Sequence, residues 1–509
     1  MDFDVIIVGA GLSGIGTARH LARECPQRSV AILERRHRIG GTWDLFRFPG
    51  IRSDSDMGTM AYDFAPWNSP QFLASGSEIR EYICAEARRA GVDRKIRYGL
   101  KCTRADWSSA TGSWTVTAVD ETGATRRFSC AFLVSCTGYY NYDAGYRPRF
   151  PDEERYKGRI VHPQFWPEDL DCAGRSVAVI GSGATAVTLV PVLARSAAHV
   201  TMVQRSPSYV MSLPGIDRWA GWLARVFPAG PVYRLARRRN LLISRSLYRA
   251  CRRWPQLMRR FLQWHVRRRV GADFDMRHFT PRYAPWDERL CFVPDDDLFV
   301  ALREKRASVE TGEIDAFTES GVRMKSGRTI DADVIVTATG LNVQMLGGIE
   351  VFVDGETCAL NQRMTYKAVL IEGVPNFAWI FGYTNATWTL KSDIAGRYLS
   401  RLFRHMDAVG ADVVVPRATA ADVDPSETDV LESLKSGYVR RSRQTMPRQG
   451  RAPPWRMQMD YALDRKMLLE EPVADSALMF SRREPSAGAT PRPASGALPP
   501  QTAAVEPAE

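Results

Sequence analysis

The sequence lacks several things, and each absence removes a class of function. Its nine cysteines are spread from Cys25 to Cys358 and none stands in a C-x-x-C pair. A zinc ribbon and a redox dithiol are thereby excluded, and the odd, dispersed set fits a reducing cytoplasm. Only seven histidines occur in 509 residues, with no paired ligand spacing, so no metal is expected. No run of about 18 apolar residues exists, so no membrane-spanning helix is expected. The first glycine loop begins by Gly9, so no signal peptide is expected ahead of it. Acid is missing from one long stretch: residues 218–272 carry fifteen arginines and no aspartate or glutamate, which makes the net charge of +12 a local excess.

What is present is enough for two or three domains, with 45% apolar content. An apolar run over residues 5–8 ends at Gly9, followed by Gly11, Ser13 and Gly14 and then a helical pattern through Leu21. A second run over residues 30–33 ends in Glu34, twenty residues after Gly14. This is the strand–loop–helix–strand–acid order of a dinucleotide site. Gly9 makes the tight turn, Gly11 lets the backbone approach pyrophosphate, Gly14 lets helix and strand pack, and Glu34 accepts from an adenosine ribose. A second such unit starts at residues 176–180 and leads into Gly181, Ser182, Gly183, Ala184, Thr185, Ala186 and Val187. Its next strand ends in Gln204-Arg205-Ser206 instead of an acid. Arg205 can pair with a ribose 2′-phosphate and Ser206 can donate to it, so the order reads FAD first and NADPH second.

Between the loops lies YKGRIVHPQFWP, residues 156–167, and after the first loop GGTWDLFRFPGIRSD, residues 40–54. Residues 77–90 read as an amphipathic helix. Residues 96–134 alternate in β fashion, with turns at 110–112 and 121–123, and Cys102 lies on the first of these strands. The arginine-rich stretch interleaves Trp219, Trp222, Trp254 and Trp264 at helical spacing. It reads either as a solvated basic face or as an interfacial patch for anionic lipid. No nucleic-acid module accompanies it, so no specific nucleic acid is expected. From about Ser481 the composition turns to Pro, Ala, Ser and Gly and reads as a disordered tail.

Two of these strings carry a resemblance. Gly158, His162, Trp166 and Pro167 fit the F-x-G-x-x-x-H-x-x-x-W fingerprint of the Baeyer–Villiger monooxygenases, with Tyr156 in place of the usual Phe. Residues 40–54 fit that family's G-G-x-W…F/Y-P-G…D fingerprint at every fixed position. The strings GYYNYD, IGSGATAVTLVP and PWDERLCFVP are similar to the branch containing the ethionamide-activating monooxygenases of actinobacteria.

The resemblance implies an α/β fold of two Rossmann-like dinucleotide-binding domains, for FAD and NADPH, with a helical insert. It implies that residues 1–143 and 341–480 form the FAD domain, 144–212 and 287–340 the NADPH domain, 213–286 the basic insert and 481–509 the tail. Thr42, Trp43, Asp44 and Leu45 would wrap the flavin, with Arg52, Ser53 and Asp54 continuing that wall and Cys102 meeting the adenine through its backbone. The other reading of Asp54 is the N-cap of a helix at Met57. Residues 382–391 would be a late loop reaching the flavin ring.

Gly158, His162 and Trp166 would form a hinge between the nucleotide domains. Arg289 would be the catalytic arginine, oriented by Asp54. A cation that never loses its proton can hold the deprotonated, nucleophilic form of the flavin-derived oxidant. Arg282 is the nearest competitor for that role, and a pairing of Arg289 with Asp287 or Glu288 is the structural alternative. The implied reaction consumes O2 and inserts one oxygen atom into a small apolar ketone, or adds it to a thioether or thioamide sulfur. The alternatives are a nitrogen- and sulfur-oxygenating flavin monooxygenase and a basic flavoprotein adaptor on a membrane or nucleic acid. The expected location is the cytoplasm or the inner face of the cell membrane.

Overall fold

The computed structural model describes residues 1–288, 290–426, 428–431 and 436–483. Arg289 and residues 484–509 of the expected tail lie outside the described residues. Ser481 does not begin a tail: it closes the strand Leu478–Ser481, opposite Val413.

Strand Phe3–Val8 organises the first half. Its side chains alternate between two cores, as a period of two requires. Val5 and Ile7 join Ile15, Leu21 and Leu399, while Ile6 and Val8 join Trp107, Trp114 and Trp379. Both faces are covered, which is why the strand reads as a continuous apolar run. It pairs in parallel with Val30–Leu33 and with Thr125–Ser135, placing Val5 opposite Val30 and Phe3 opposite Cys130. The antiparallel strands Lys101–Ser108 and Ser113–Val119 extend this sheet, with Glu350–Val353 beyond them. Helix Gly76–Arg89 starts one residue earlier than its apolar pattern suggests. Ser75 caps it and completes a capping box with Glu78.

The second half is a five-stranded parallel sheet in the order Ala307–Thr311, His199–Gln204, Ser176–Ile180, Val334–Thr337, Arg159–Val161. The chain crosses between the halves twice, along Tyr140–Gly145 and Leu341–Val343. These two segments pair antiparallel, so the crossings run side by side.

The residue 156–167 stretch is fastened to those crossings. His162 Nε2 donates to Gly340 O at 3.2 Å, its Nδ1 accepts from the Gln164 N–H at 3.2 Å, and Gln164 Nε2 donates to Asn141 O at 2.8 Å. Gly158 is there for lack of space: a Cβ would sit 2.3 Å from the Tyr156 hydroxyl and 2.6 Å from Asp333 O. Tyr156 does more than a phenylalanine could, because its hydroxyl donates to Ala332 O at 2.8 Å. A bond of this kind is worth about 0.5–1.5 kcal/mol.

The arginine-rich insert forms the helices Arg218–Leu223, Ala229–Arg253 and Pro255–Val270. It leaves and returns through the parallel pair Val210–Leu213 and Cys291–Pro294. Its long helix docks on the short helix Met57–Met60 that follows the residue 40–54 stretch. Arg237 donates to Gly58 O and Ala61 O, each at 2.9 Å, and Asn240 Nδ2 donates to Asp56 Oδ1 at 2.6 Å. Among the described residues, no helix is long and apolar enough to cross a membrane.

Candidate functional site

Both glycine loops sit where a parallel strand gives way to a helix. In the first, Gly9 has φ +105° and a Cβ there would meet Cys136 O at 2.6 Å; a Cβ on Gly14 would lie 1.9 Å from Gly9 O. In the second, Gly181 has φ +144° and faces Ala338 O in the same way, at 2.3 Å. Neither following helix is capped by a side chain or has an acid in its first turn. Their first N–H groups are therefore left for an anion, with the helix dipole in support. Val187 is not one of those donors, because its N–H already bonds Gly183 O at 3.1 Å, and its side chain is buried in the core with that of Ala186. Ser182 Oγ is engaged with Ser206 O at 2.9 Å.

One cleft joins the two loops. It runs from Gly9, Gly11, Ser13 and Glu34, past Cys102, Thr42, Trp43, Arg52 and Asp54, to Ala184, Thr185 and Phe292. At the first end Glu34 is held by the backbone: Oε2 accepts from the Ala10 N–H at 2.7 Å and Oε1 from the Arg36 N–H at 2.8 Å. Burial pushes its carboxyl above the ordinary value, against the pull of those two donors. Each oxygen keeps acceptor capacity for a ribose hydroxyl. Cys102 lies beside this end, and burial pushes its thiol up to about 12, so it acts as wall and not as nucleophile.

The middle is lined by the residue 40–54 stretch, though not by all of it. Asp44 turns away from the cleft to Arg36 at 2.7 Å, with Arg47 at 3.6 Å and Arg80 at 3.8 Å, and its side chain is 3% exposed. Leu45 belongs to the core under the second loop, and Ser53 is buried, its hydroxyl bonded to Ser55 O at 2.8 Å. These three hold the wall from behind. Asp54 does not cap the helix at Met57. Asp56 does that by accepting from the Thr59 N–H at 2.9 Å, which leaves Asp54 on the cleft.

Two buried polar atoms on the cleft have no partner among the described residues, Arg52 Nη2 and Gln344 Oε1. Arg52 Nη1 donates to Phe292 O at 3.2 Å, and burial pulls its guanidinium below the ordinary value. An orphaned donor and an orphaned acceptor on opposite loops fit a large heterocyclic cofactor that supplies both.

Gly181, Ser182, Gly183, Arg205 and Ser206 lie outside the cleft's lining, and Arg205 and Ser206 are exposed. Arg205 forms no ion pair among the described residues, and its charge is felt at Glu288 and Glu313. Gln204 stands where the first unit's strand ends in an acid, and it is buried and fixed to His278 O and Thr311 Oγ1. Arg282 is exposed and does not line the cleft, and Asp287 pairs with Arg252 at 2.8 Å.

Sequence reasoning missed part of the wall. Tyr139, Tyr140 and Tyr142 line the cleft, as do Gln344, Leu346 and Gly347 from a turn with positive φ at Leu346 and Gly347. The expected late loop ends at Thr387, because residues 388–391 open the helix Trp388–Val409; Trp388, its first residue, stacks on Tyr139 with ring centroids 5.2 Å apart and donates to Ser13 Oγ at 2.8 Å. The signal for the tyrosines was GYYNYD, residues 138–143, which follows Thr137 at a strand end.

A mixed sheet and a parallel one, a glycine loop on each and a cleft reaching both loops define a flavoprotein with two dinucleotide domains. The chain belongs to the flavin-binding monooxygenase-like family, which it matches over residues 3–371. It is 58% identical over 486 residues to the FAD-containing monooxygenase MymA of Mycobacterium tuberculosis, covering 94% of this chain and 97% of that one. It is 46% identical over 487 residues to the FAD-containing monooxygenase EthA of the same species, covering 95% and 99%. In structure it is similar to an oxidized steroid monooxygenase bound to NADP, with TM-score 0.75, 22% identity and coverage of 95% and 100%. That last likeness shows a shared fold.

Proposed function

We propose that the chain is an FAD- and NADPH-dependent monooxygenase of the Baeyer–Villiger type. Residues 1–143 and 341–480 hold FAD, residues 144–212 and 287–340 hold NADPH, and residues 213–286 form the insert. The observation that carries the reading is the cleft that runs from Glu34 and the first loop to Ala184 and Thr185 of the second, with Arg205 directly after the strand that follows but outside the cleft's lining. The relatives' FAD and the structural neighbour's NADP support the same pair of cofactors.

When bound, reduced flavin and O2 supply the oxidant that delivers one oxygen atom to a ketone carbonyl or a sulfur. The chain's own groups do the rest. Gly9, Gly11 and the first helical turn bind the pyrophosphate, and Glu34 fixes the ribose. Thr42 and Trp43 close over the flavin and keep water out. Arg205 and Ser206 select the 2′-phosphate. Arg289 supplies the fixed positive charge and Asp54 orients it. His162, neutral with its proton on Nε2, keeps the two crossings in register so that the nicotinamide half moves as a unit.

The substrate is a small apolar ketone or a sulfur compound, met in the cytoplasm or at the inner face of the cell membrane. Aerobic turnover of a ketone and thioether panel with NADPH tests the reading. Esters or lactones from the ketones support it, and sulfoxides with no ester from any ketone reduce it to sulfur oxygenation.

A further inference from the structure

The arginine insert divides into two populations. One is spent inside the protein: Arg237 on backbone carbonyls, Arg239 on Asp217, Arg245 on Asp460, Arg252 on Asp287, and Arg269 on Asp296. The other is exposed with no hydrogen bond or ion pair among the described residues, and includes Arg225, Arg234, Arg238, Arg260 and Arg267.

Beside this second population lies apolar surface that a solvated face would not carry. Twelve of the nineteen exposed large apolar side chains among the described residues fall between Ile216 and Trp264. Trp222 is 60% exposed, Val226 68% and Leu242 64%. On helix Pro255–Val270 the buried stripe is Leu262, His265, Val266 and Val270. The opposite stripe is Leu257, Arg260, Phe261, Trp264 and Arg268, spaced at helical intervals. Its Phe261 and Trp264 rings lie 6.1 Å apart, and Arg268 stands 5.7 Å from the Trp264 centroid. Helix Ala229–Arg253 repeats the pattern: Val232, Tyr233, Ala236 and Asn240 face inward, and Leu235, Arg238 and Leu242 face outward.

We propose that the outward face of the insert docks on an anionic lipid bilayer, with its tryptophans, phenylalanines and leucines entering the headgroup boundary and the free arginines pairing with lipid phosphates. Aromatic and aliphatic groups interleaved with cations and free of acid match the two layers of such a surface. A nucleic acid would satisfy the arginines and leave Val226, Leu242 and Leu257 in water. A second copy of the chain would bring two acid-free arginine faces together. This surface is independent of the reaction assigned to the cleft.

The test is flotation of the FAD-loaded full chain with vesicles of phosphatidylcholine alone or with phosphatidylglycerol added. The wild type should float with the anionic vesicles and be released by rising salt. Arg260→Gln/Arg268→Gln should weaken that partition about 25-fold, at roughly fivefold per arginine. Phe261→Ser/Trp264→Ser should weaken it as well and reduce tryptophan quenching by brominated acyl chains. Retained flavin absorbance certifies the fold of each variant, and the salt series on the wild type needs no variant. Equal behaviour on neutral and anionic vesicles overturns the proposal. So does unchanged vesicle binding by Phe261→Ser/Trp264→Ser, or tighter binding to RNA than to the anionic vesicles.

Discussion

The two glycine loops share a backbone and differ in their surroundings. Around the first, Gly11 faces Gly41 with a Cβ-to-Cα approach of 3.4 Å, Ser13 is buried under Trp388, and Glu34 is 4% exposed. Around the second, a Cβ on Gly183 would meet nothing within 4 Å, and Arg205 and Ser206 stand in solvent. An enclosed loop suits a cofactor that stays bound through many turnovers. An open loop suits one that arrives, gives up a hydride and leaves. One fold unit used twice thus yields a prosthetic group and a cosubstrate, and the difference lies in what packs over each loop.

The sharpest steric contrast pairs two different loop positions. Gly14→Ala places a methyl 1.9 Å from Gly9 O in its own loop, where the second loop already has Ala186, and Gly183→Ala places one in open space at φ −83°. The first should cost about 4 kcal/mol or more and yield protein without flavin. The second should cost about 1 kcal/mol or less, retain FAD and raise the KM for NADPH. Flavin absorbance and thermal melts on both variants check this, and equal losses would break the comparison.

Arg289→Ala should keep both cofactors and lose product formation about a hundredfold to a thousandfold, with NADPH oxidation appearing as hydrogen peroxide. Arg282→Ala, measured in parallel, should oxygenate normally. The reverse outcome would move the catalytic charge to the wrong loop. Arg205→Ala should lower the preference for NADPH over NADH about tenfold to a hundredfold, the range of one charge-assisted contact of about 1.5–3 kcal/mol. An unchanged ratio of kcat/KM values would mean that the open loop does not read the phosphate.

The smallest effect concerns the joint between the halves. Burial holds His162 below its ordinary value, so it is neutral in the folded protein and accepts from Gln164 through Nδ1. Its contribution is complete above about pH 6.5, the unfolded value, and is lost as pH falls toward the folded value. The slope is at most about 1.4 kcal/mol per pH unit. Melting temperatures of the wild type should therefore drop faster than those of His162→Gln between these limits, and parallel curves would remove His162 from the joint.

Much of this was legible in the sequence because it is local. The glycine loops, the Glu34 and Arg205-Ser206 endings and the hairpins around residues 109–112 and 120–124 are each set within about 25 residues, where periodicity and turn chemistry act. The Asp44 side chain faces Arg36, Arg47 and Arg80 instead of the cleft, and Arg80 reaches it only because helix Gly76–Arg89 docks there. Gln344 and Gly347 carry no motif. They reach the cleft because Glu350–Val353 joins the first sheet beside Lys101–Ser108, a pairing no local pattern announces. The arginine insert looked uniform in sequence, and only packing separates Arg237, bonded to three backbone carbonyls, from Arg260 in solvent.

The most direct measurement is turnover of a ketone and a thioether with NADPH under 18O2. The account predicts a single labelled oxygen atom in each product and equal consumption of NADPH. Product carrying oxygen from water, or NADPH consumed with hydrogen peroxide as the sole oxygen product across the panel, would contradict it.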